Sequence, residues 1–245
     1  MELRLEHASF SNDGFRMSDI SLSIDSGITL LTGACGSGKT TLLMMLSSLV
    51  PLESGFLMLD SARIVAHDSR IGIIFQFPER QLFATTVISD TSYALRARGE
   101  GKKEAEEKAR CILREMAIDE NKWYESPFSL SGGERRRAAI AGILISEPDI
   151  VLMDEPTVGL DGFGYQCFLE ILKKLKKQRK TVLIATHDEE LYECSDRTIA
   201  MENGRIISDS PNTPWLLSLS ERLATSCDIS AIAKKAAEML KERKL

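Results

Sequence analysis

The sequence predicts an α/β fold built on a parallel sheet, and three observations carry that expectation. Apolar runs of buried-strand length, Ile28–Thr32, Ile71–Phe75, Ile150–Met153 and Thr181–Thr186, recur along the chain among helix-length stretches. A glycine-rich loop follows the first of these runs and leads into a helix. Residues 86–146 hold helical patterns and almost no strand signal, so a helical unit interrupts the alternation.

Taken in order, residues 2–33 contain three short strand-like segments, the last being Ile28–Thr32. A helix is expected from about Lys39 to Leu49, because Leu42, Leu43, Leu46 and Leu49 recur at helical spacing. Pro51 and Gly55 end that unit, and Gly55–Asp60 and Ile71–Phe75 read as strands. In the middle, Glu104–Met116 is charged and amphipathic, and Ser131–Ser146 reads as a helix opened by a Ser-Gly-Gly turn. The α/β rhythm resumes with a strand at Asp149–Met153, a helix at Tyr165–Gln178, and strands at Thr181–Thr186 and Arg197–Met201. Asn203-Gly204 is a hairpin turn, since that pair favours positive φ. After Pro211 the tail is expected to be helical, with Ile229, Ile232, Ala236 and Leu240 on one face, packed against the domain. The division is thus one domain over residues 1–210 and a helical extension over 211–245.

Composition narrows the class. The chain has 245 residues, enough for one well-buried domain with a small appendage. At 43% hydrophobic and 27% charged it is an ordinary globular chain. A net charge of −5 gives no electrostatic reason to expect nucleic-acid binding. No apolar run approaches the ~18 residues of a membrane span, and the opening Met1-Glu2-Leu3-Arg4 alternates like a strand, unlike a signal peptide. The expectation is a soluble protein that reaches a membrane only through a partner. Cys35, Cys111, Cys167, Cys194 and Cys227 are scattered and form no C-x-x-C pair, which fits a reducing compartment.

Residues 33–41 read Gly-Ala-Cys-Gly-Ser-Gly-Lys-Thr-Thr, a G-x-x-x-x-G-K-[ST] loop between a strand and a helix. Gly33, Gly36 and Gly38 let the backbone approach oxygen atoms closely. Along Gly33, Ala34, Cys35, Gly36, Ser37 and Gly38, successive N–H groups then form an anion nest at the positive end of a helix. Lys39 supplies a cation for β- and γ-phosphates, Thr40 a hydroxyl for Mg²⁺, and Thr41 a further phosphate-side hydrogen bond. The ligand is a nucleoside triphosphate. Ile150–Met153 ends in Asp154 and Glu155, acids that emerge at the carboxyl end of a buried strand, where ligands bind in parallel sheets. Asp154 would hold Mg²⁺, and Glu155 would polarise or position the attacking water.

Leu130-Ser131-Gly132-Gly133-Glu134, shortly before that acidic strand, resembles the signature of the ABC (ATP-binding cassette) ATPases. The ordered set resembles the family as a whole: the phosphate loop, Gln76 after a strand, the signature, the acidic strand, Gly159-Leu160-Asp161, and His187 after Thr181–Thr186. The resemblance covers about residues 1–210. It implies a P-loop NTPase cassette with a RecA-like core, an N-terminal antiparallel β subdomain and an inserted α-helical subdomain at about 86–146. It implies that two cassettes face each other head to tail, as a homodimer or a heterodimer, with ATP and Mg²⁺ between them. In that arrangement Ser131, Gly132 and Gly133 would donate to the γ-phosphate held by the other chain. Gln76 would ligate Mg²⁺, His187 would contact the γ-phosphate and the water, and Asp161 would sit at the dimer seam. Glu155, His187 and Lys39 would carry the catalysis.

Phe75-Gln76-Phe77-Pro78-Glu79-Arg80-Gln81-Leu82-Phe83-Ala84-Thr85-Thr86-Val87 looks like the matching segment in ATPases of energy-coupling-factor transporters, which import vitamins and cobalt or nickel. The runs Ala138–Leu144 and Glu147-Pro148-Asp149 resemble them too. The likeness implies a second ATPase chain, a transmembrane coupling subunit and a substrate-binding membrane subunit. It places the chain peripherally at the cytoplasmic face of the cell membrane. Pro78–Val87 is expected to form much of the docking groove, with Leu82 and Phe83 exposed and Glu79 available to a basic partner residue. Another ABC importer, or a regulatory ATPase with a soluble partner, are the alternative readings. Two positions depart from the family pattern. Asn12 stands where many cassettes stack adenine on an aromatic ring, leaving Phe10 and Phe15 as substitutes. Cys35 stands in the phosphate loop where Asn or Ser is more usual; it reads as a tolerated small residue, with a thiol whose alkylation blocks ATP binding as the alternative reading.

Overall fold

The computed structural model describes residues 1–12 and 14–212. The expected helical face of Ile229, Ile232, Ala236 and Leu240 lies outside the described residues. The chain opens with β1 (Leu3–Asn12), β2 (Phe15–Ile24) and β3 (Gly27–Thr32), then α1 (Lys39–Leu46). It continues through β4 (Ser54–Leu59), β5 (Ala62–Ile64) and β6 (Ile71–Ile74). A helical stretch follows: α2 (Val87–Thr91), α3 (Tyr93–Ala97), α4 (Lys102–Glu115) and α5 (Gly132–Leu144). β7 (Ile150–Asp154), α6 (Gly162–Lys177), β8 (Thr181–Ala185), β9 (Arg197–Glu202) and β10 (Arg205–Pro211) complete the described fold.

Two sheets form. An antiparallel sheet has the order β2-β1-β4-β5, and a six-stranded sheet the order β10-β9-β3-β8-β7-β6. In the larger sheet β9, β3, β8, β7 and β6 run parallel, and only β10 is antiparallel. Every residue of β7 and β8 is buried, as expected for continuous apolar strands covered on both faces. The period-two alternation of β7 divides two cores. Ile150 and Leu152 pack with α1 and the antiparallel sheet, whereas Val151 and Met153 pack with the helical layer. Burial of each such side chain contributes about 1.5–3 kcal/mol.

Several elements differ from expectation for local reasons. α1 ends at Leu46, not Leu49, because Ser48 takes a left-handed φ of +57°. Ser48 N then donates to Met45 O and Leu49 N to Met44 O, which closes the helix with a Schellman arrangement. The three residues of β5 are too short to show a period. The turn between β9 and β10 carries φ of +47° at Asn203 and +75° at Gly204, as an Asn-Gly hairpin requires. In α4 the residues Ala105, Ala109 and Leu113 face inward, one turn apart, and the charged remainder faces water.

The topology sets the site. β3, β6, β7 and β8 are parallel, so the segments that follow them gather at one edge of the sheet.

Candidate active site

The loop from Gly33 to Gly38 leaves β3 and enters α1. At Gly33, with φ +143°, a Cβ would stand 2.2 Å from the carbonyl oxygen of Met201. At Gly38, with φ +105°, it would press on the Phe15 ring at 2.8 Å. Only glycine fits both the conformation and the space. The loop closes on itself as Ser37 N donates to Ala34 O at 3.1 Å. Lys39 is buried to 8% exposure, and its Nζ donates to Gly33 O at 2.6 Å and Ala34 O at 3.2 Å. The ammonium is therefore held inside the curl of the loop. His187 Nε2 lies 3.2 Å from the same Nζ.

Asp154 ends β7 and is 5% exposed. Its Oδ2 accepts from Thr40 Oγ1 at 2.7 Å, so the first turn of α1 meets the end of β7. The next residue, Glu155, has a left-handed φ of +46°. Its N–H donates to Ala185 O at 2.8 Å, which ties it to the end of β8. Its Oε1 stands 3.5 Å from His187 Nε2. These residues share a cleft of about 570 Å³, lined by Cys35, Gly36, Gly38, Lys39, Thr40, Thr41, Gln76, Asp154, Glu155 and His187. That volume suits a ligand of nucleotide size. Phe15 and Val158, which no motif marks, complete the lining. Of the two candidate rings for adenine, Phe15 lines the cleft and Phe10 does not, although both pack against the core that includes α1.

Gly33, Ala34 and Ser37 build the loop without lining the cleft. Asp161 caps α6, accepting from Gly164 N at 2.7 Å, and faces an adjoining hollow shared with Glu155 and His187. Ser131, Gly132 and Gly133 are not brought into the cleft of their own chain. Instead they form the N-terminus of α5. Ser131 Oγ accepts from Glu134 N at 3.3 Å, and Glu134 Oε2 accepts from Ser131 N at 3.0 Å. This capping box holds the turn, and a Cβ on Gly132 would meet open space. Lys122 donates to Glu134 Oε1 at 2.7 Å and, with Ser131, holds that carboxyl down to about 2 against the opposing effect of burial.

The expected docking segment needs one correction. Pro78–Gln81 forms a 3-10 turn, after which Leu82 points inward at 7% exposure, whereas Phe83 is 62% exposed. Phe83 N and Ala84 N both donate to Asp90 Oδ2, which folds the segment back on α2 and turns Leu82 under it. The exposed partner of Phe83 is Tyr93, edge-on at 4.8 Å. The Glu79 carboxylate lies 3.9 Å from the guanidinium of Arg136, itself buried on α5, and its Oε2 accepts no hydrogen bond among the described residues. A separate apolar cavity of about 210 Å³ lies between α4, α5 and α6 and holds no residue of the motif set. Among the described residues, no helix is long and apolar enough to cross a membrane.

The family model described as ABC transporter matches residues 17–158. The energy-coupling factor transporter ATP-binding protein EcfA2 of Ligilactobacillus salivarius (strain UCC118) is 38% identical over 206 residues, covering 79% of this chain and 71% of that protein. Among solved structures, cbiO1 from Clostridium perfringens, part of the ABC transporter complex cbiONQ, superposes with a TM-score of 0.78 at 27% identity. It covers 96% of this chain and 98% of its own. A dimeric structure of MJ0796, a bacterial ABC transporter cassette, gives 0.75 at 25% identity, over 86% and 99% of the two chains. The chain therefore belongs to the ABC transporter family of ATP-binding proteins, together with the energy-coupling factor transporter ATP-binding proteins.

Proposed function

We propose that this chain hydrolyses ATP to power a membrane importer of the energy-coupling-factor type, for a vitamin or a transition-metal ion. The observation that carries the reading is the meeting of Lys39, Thr40, Gln76, Asp154, Glu155 and His187 in one cleft, while Ser131–Gly133 stand elsewhere on the same chain. A complete site then needs the signature of a second cassette, of the same or a related kind. In such a pair the Gly33–Thr41 loop cradles the phosphates through its N–H groups and Lys39. Ser131, Gly132 and Gly133, at the start of α5, donate to the γ-phosphate of the nucleotide on the facing chain. Phe15, in the lining of the cleft, is the ring available to adenine. Asp161 lies at the seam.

The donor set suits Mg²⁺. The Thr40 hydroxyl and the Asp154 carboxylate meet at 2.7 Å, and Gln76 adds an amide oxygen to the same cleft; all are hard donors. Thr40, Gln76 and Asp154 would hold the ion, which when bound neutralises charge on the phosphate oxygens. Glu155 accepts a proton from the attacking water, and His187, near both Glu155 and Lys39, holds the water and γ-phosphate in register. Loss of the γ-phosphate removes contacts made by both chains, so the dimer loosens.

The cassette occupies about residues 1–210, with the helical subdomain at about 86–146 and the extension at 211–245. The exposed Phe83–Tyr93 pair supports docking of a transmembrane coupling subunit at this subdomain, which works with a substrate-binding membrane subunit. The chain thus sits peripherally on the cytoplasmic face of the membrane. The test is the mass of the Glu155→Gln variant by light scattering, with and without Mg-ATP. A shift from monomer to dimer on adding Mg-ATP is expected if the chain supplies both half-sites. A chain that binds ATP but stays monomeric pairs with a different cassette, and one that binds no ATP refutes the reading.

A further inference from the structure

Arg136 belongs to none of the motifs, yet it holds the carbonyls of two residues that line the cleft, Gln76 and Glu155. It lies on α5, five positions after Ser131, and is 4% exposed. A buried guanidinium is costly unless its donors are satisfied. Here they go to main-chain oxygens. Nη2 donates to Gln76 O at 2.6 Å and to Glu155 O at 3.0 Å, and Nε donates to Pro156 O at 3.3 Å. The Glu79 carboxylate stands further off, at 3.9 Å from Nη1, and balances the charge.

The contact with Glu155 falls where the backbone most needs it. Glu155 has a left-handed φ of +46°, a strained conformation for a residue with a Cβ. Such a residue persists only when its surroundings over-determine it. Its N–H is fixed by Ala185 O, and its carbonyl is fixed by Arg136. The same fork holds the carbonyl of Gln76.

We infer that Arg136 is a positioning residue of the ATPase: it sets the main chain of Glu155 and Gln76 so that their side chains face the γ-phosphate. Because it rides on the helix that begins with Ser131–Gly133, it also ties the half-site offered to the facing cassette to the half-site the chain keeps. The inference rests on the proposal that Glu155 is the catalytic carboxylate.

Lysine retains the charge of arginine but not its planar fork, and one ammonium cannot reproduce three carbonyl contacts in this geometry. The experiment is steady-state ATP hydrolysis by the full chain in its assembled ATPase dimer, comparing wild type, R136K, E155Q and R136K/E155Q. The expected result is a kcat about a hundredfold lower in R136K, with KM for ATP changed by less than about threefold, the signature of a misplaced catalytic group. In the E155Q background, R136K should lower the residual rate by at least about tenfold less than it lowers the wild-type rate, because the share of its effect that runs through Glu155 is already gone and only the share through Gln76 remains. If R136K does not fold, as read by its thermal melt, R136Q is held to the same criteria. A kcat within about twofold of wild type overturns the inference, as does an equal loss in both backgrounds, which would mark a general structural role. A wild-type rate in E155Q alone would instead overturn the assignment of Glu155, and the inference with it.

Discussion

The hydroxyl of Thr40 donates to Oδ2 of Asp154 across 2.7 Å, and this one contact joins the first turn of α1 to the end of β7. The two residues are 114 positions apart, so nothing local brings them together. Their meeting follows from the parallel order β3-β8-β7, which delivers a phosphate loop and an acidic strand end to the same edge. Asp154→Asn keeps an acceptor for Thr40 but removes the charge that would face Mg²⁺. It should lower ATP hydrolysis by about a hundredfold and raise the Mg²⁺ concentration needed for half-maximal rate. A Mg²⁺ titration of ATPase activity checks this; an unchanged half-maximal concentration would contradict the assignment.

Leu82 and Phe83 are adjacent but should respond in opposite ways. Leu82, 7% exposed, is part of the packing beneath the docking segment, so Leu82→Ser should cost about 3 kcal/mol of stability. Phe83, 62% exposed, should leave stability nearly untouched when changed to Ser. Phe83→Ser together with Tyr93→Ser should release the membrane subunits while ATP binding is kept. Thermal melts separate the first two outcomes, and co-purification from detergent-solubilised membranes checks the third.

These corrections show where the sequence was legible. The phosphate loop, the signature and the acidic pair each lie within a few consecutive residues, so their chemistry can be read without knowing the fold. β7 and β8 were equally plain, because burial on both faces demands unbroken apolar runs. Leu82 was misplaced because its cover depends on Asp90 reaching back to the N–H groups of Phe83 and Ala84. Arg136 was invisible for the same reason: its acceptors, Gln76 and Glu155, are 60 and 19 positions away. Phe15 is set against Gly38 by a hairpin that returns toward the loop, a relation that no local pattern encodes.

Cys35 is exposed and lines the cleft with Lys39 and Thr41. A bulky adduct on its Sγ would occupy the space that the phosphates need. Alkylation with a maleimide should therefore abolish ATP binding, and saturating Mg-ATP should slow the alkylation by about tenfold or more. Mass spectrometry of the modified peptide, in parallel with nucleotide binding, reads both. Full modification with unchanged ATPase activity would show that the side chain points clear of the nucleotide.

The signature turn should carry its own acid sensitivity. Glu134 is lowered from an ordinary 4.5 to about 2, first by the hydrogen bond from Lys122 and then by the N–H and hydroxyl of Ser131, with burial opposing them. A carboxyl whose folded pKa lies below its unfolded value stabilises the fold only while ionised. The contribution is thus fully present above 4.5 and is lost as the pH falls towards 2. Glu134→Gln keeps an oxygen that can accept from Ser131 N but cannot ionise or pair with Lys122. At neutral pH the variant should melt below wild type by an amount that does not change with pH. Through the acid window the difference should shrink, because wild type alone loses the ionised carboxylate there. Melting curves of the two proteins, taken side by side across that range, check the sign: a gap that widens in acid would mean that Glu134 does not hold the start of α5 through its charge.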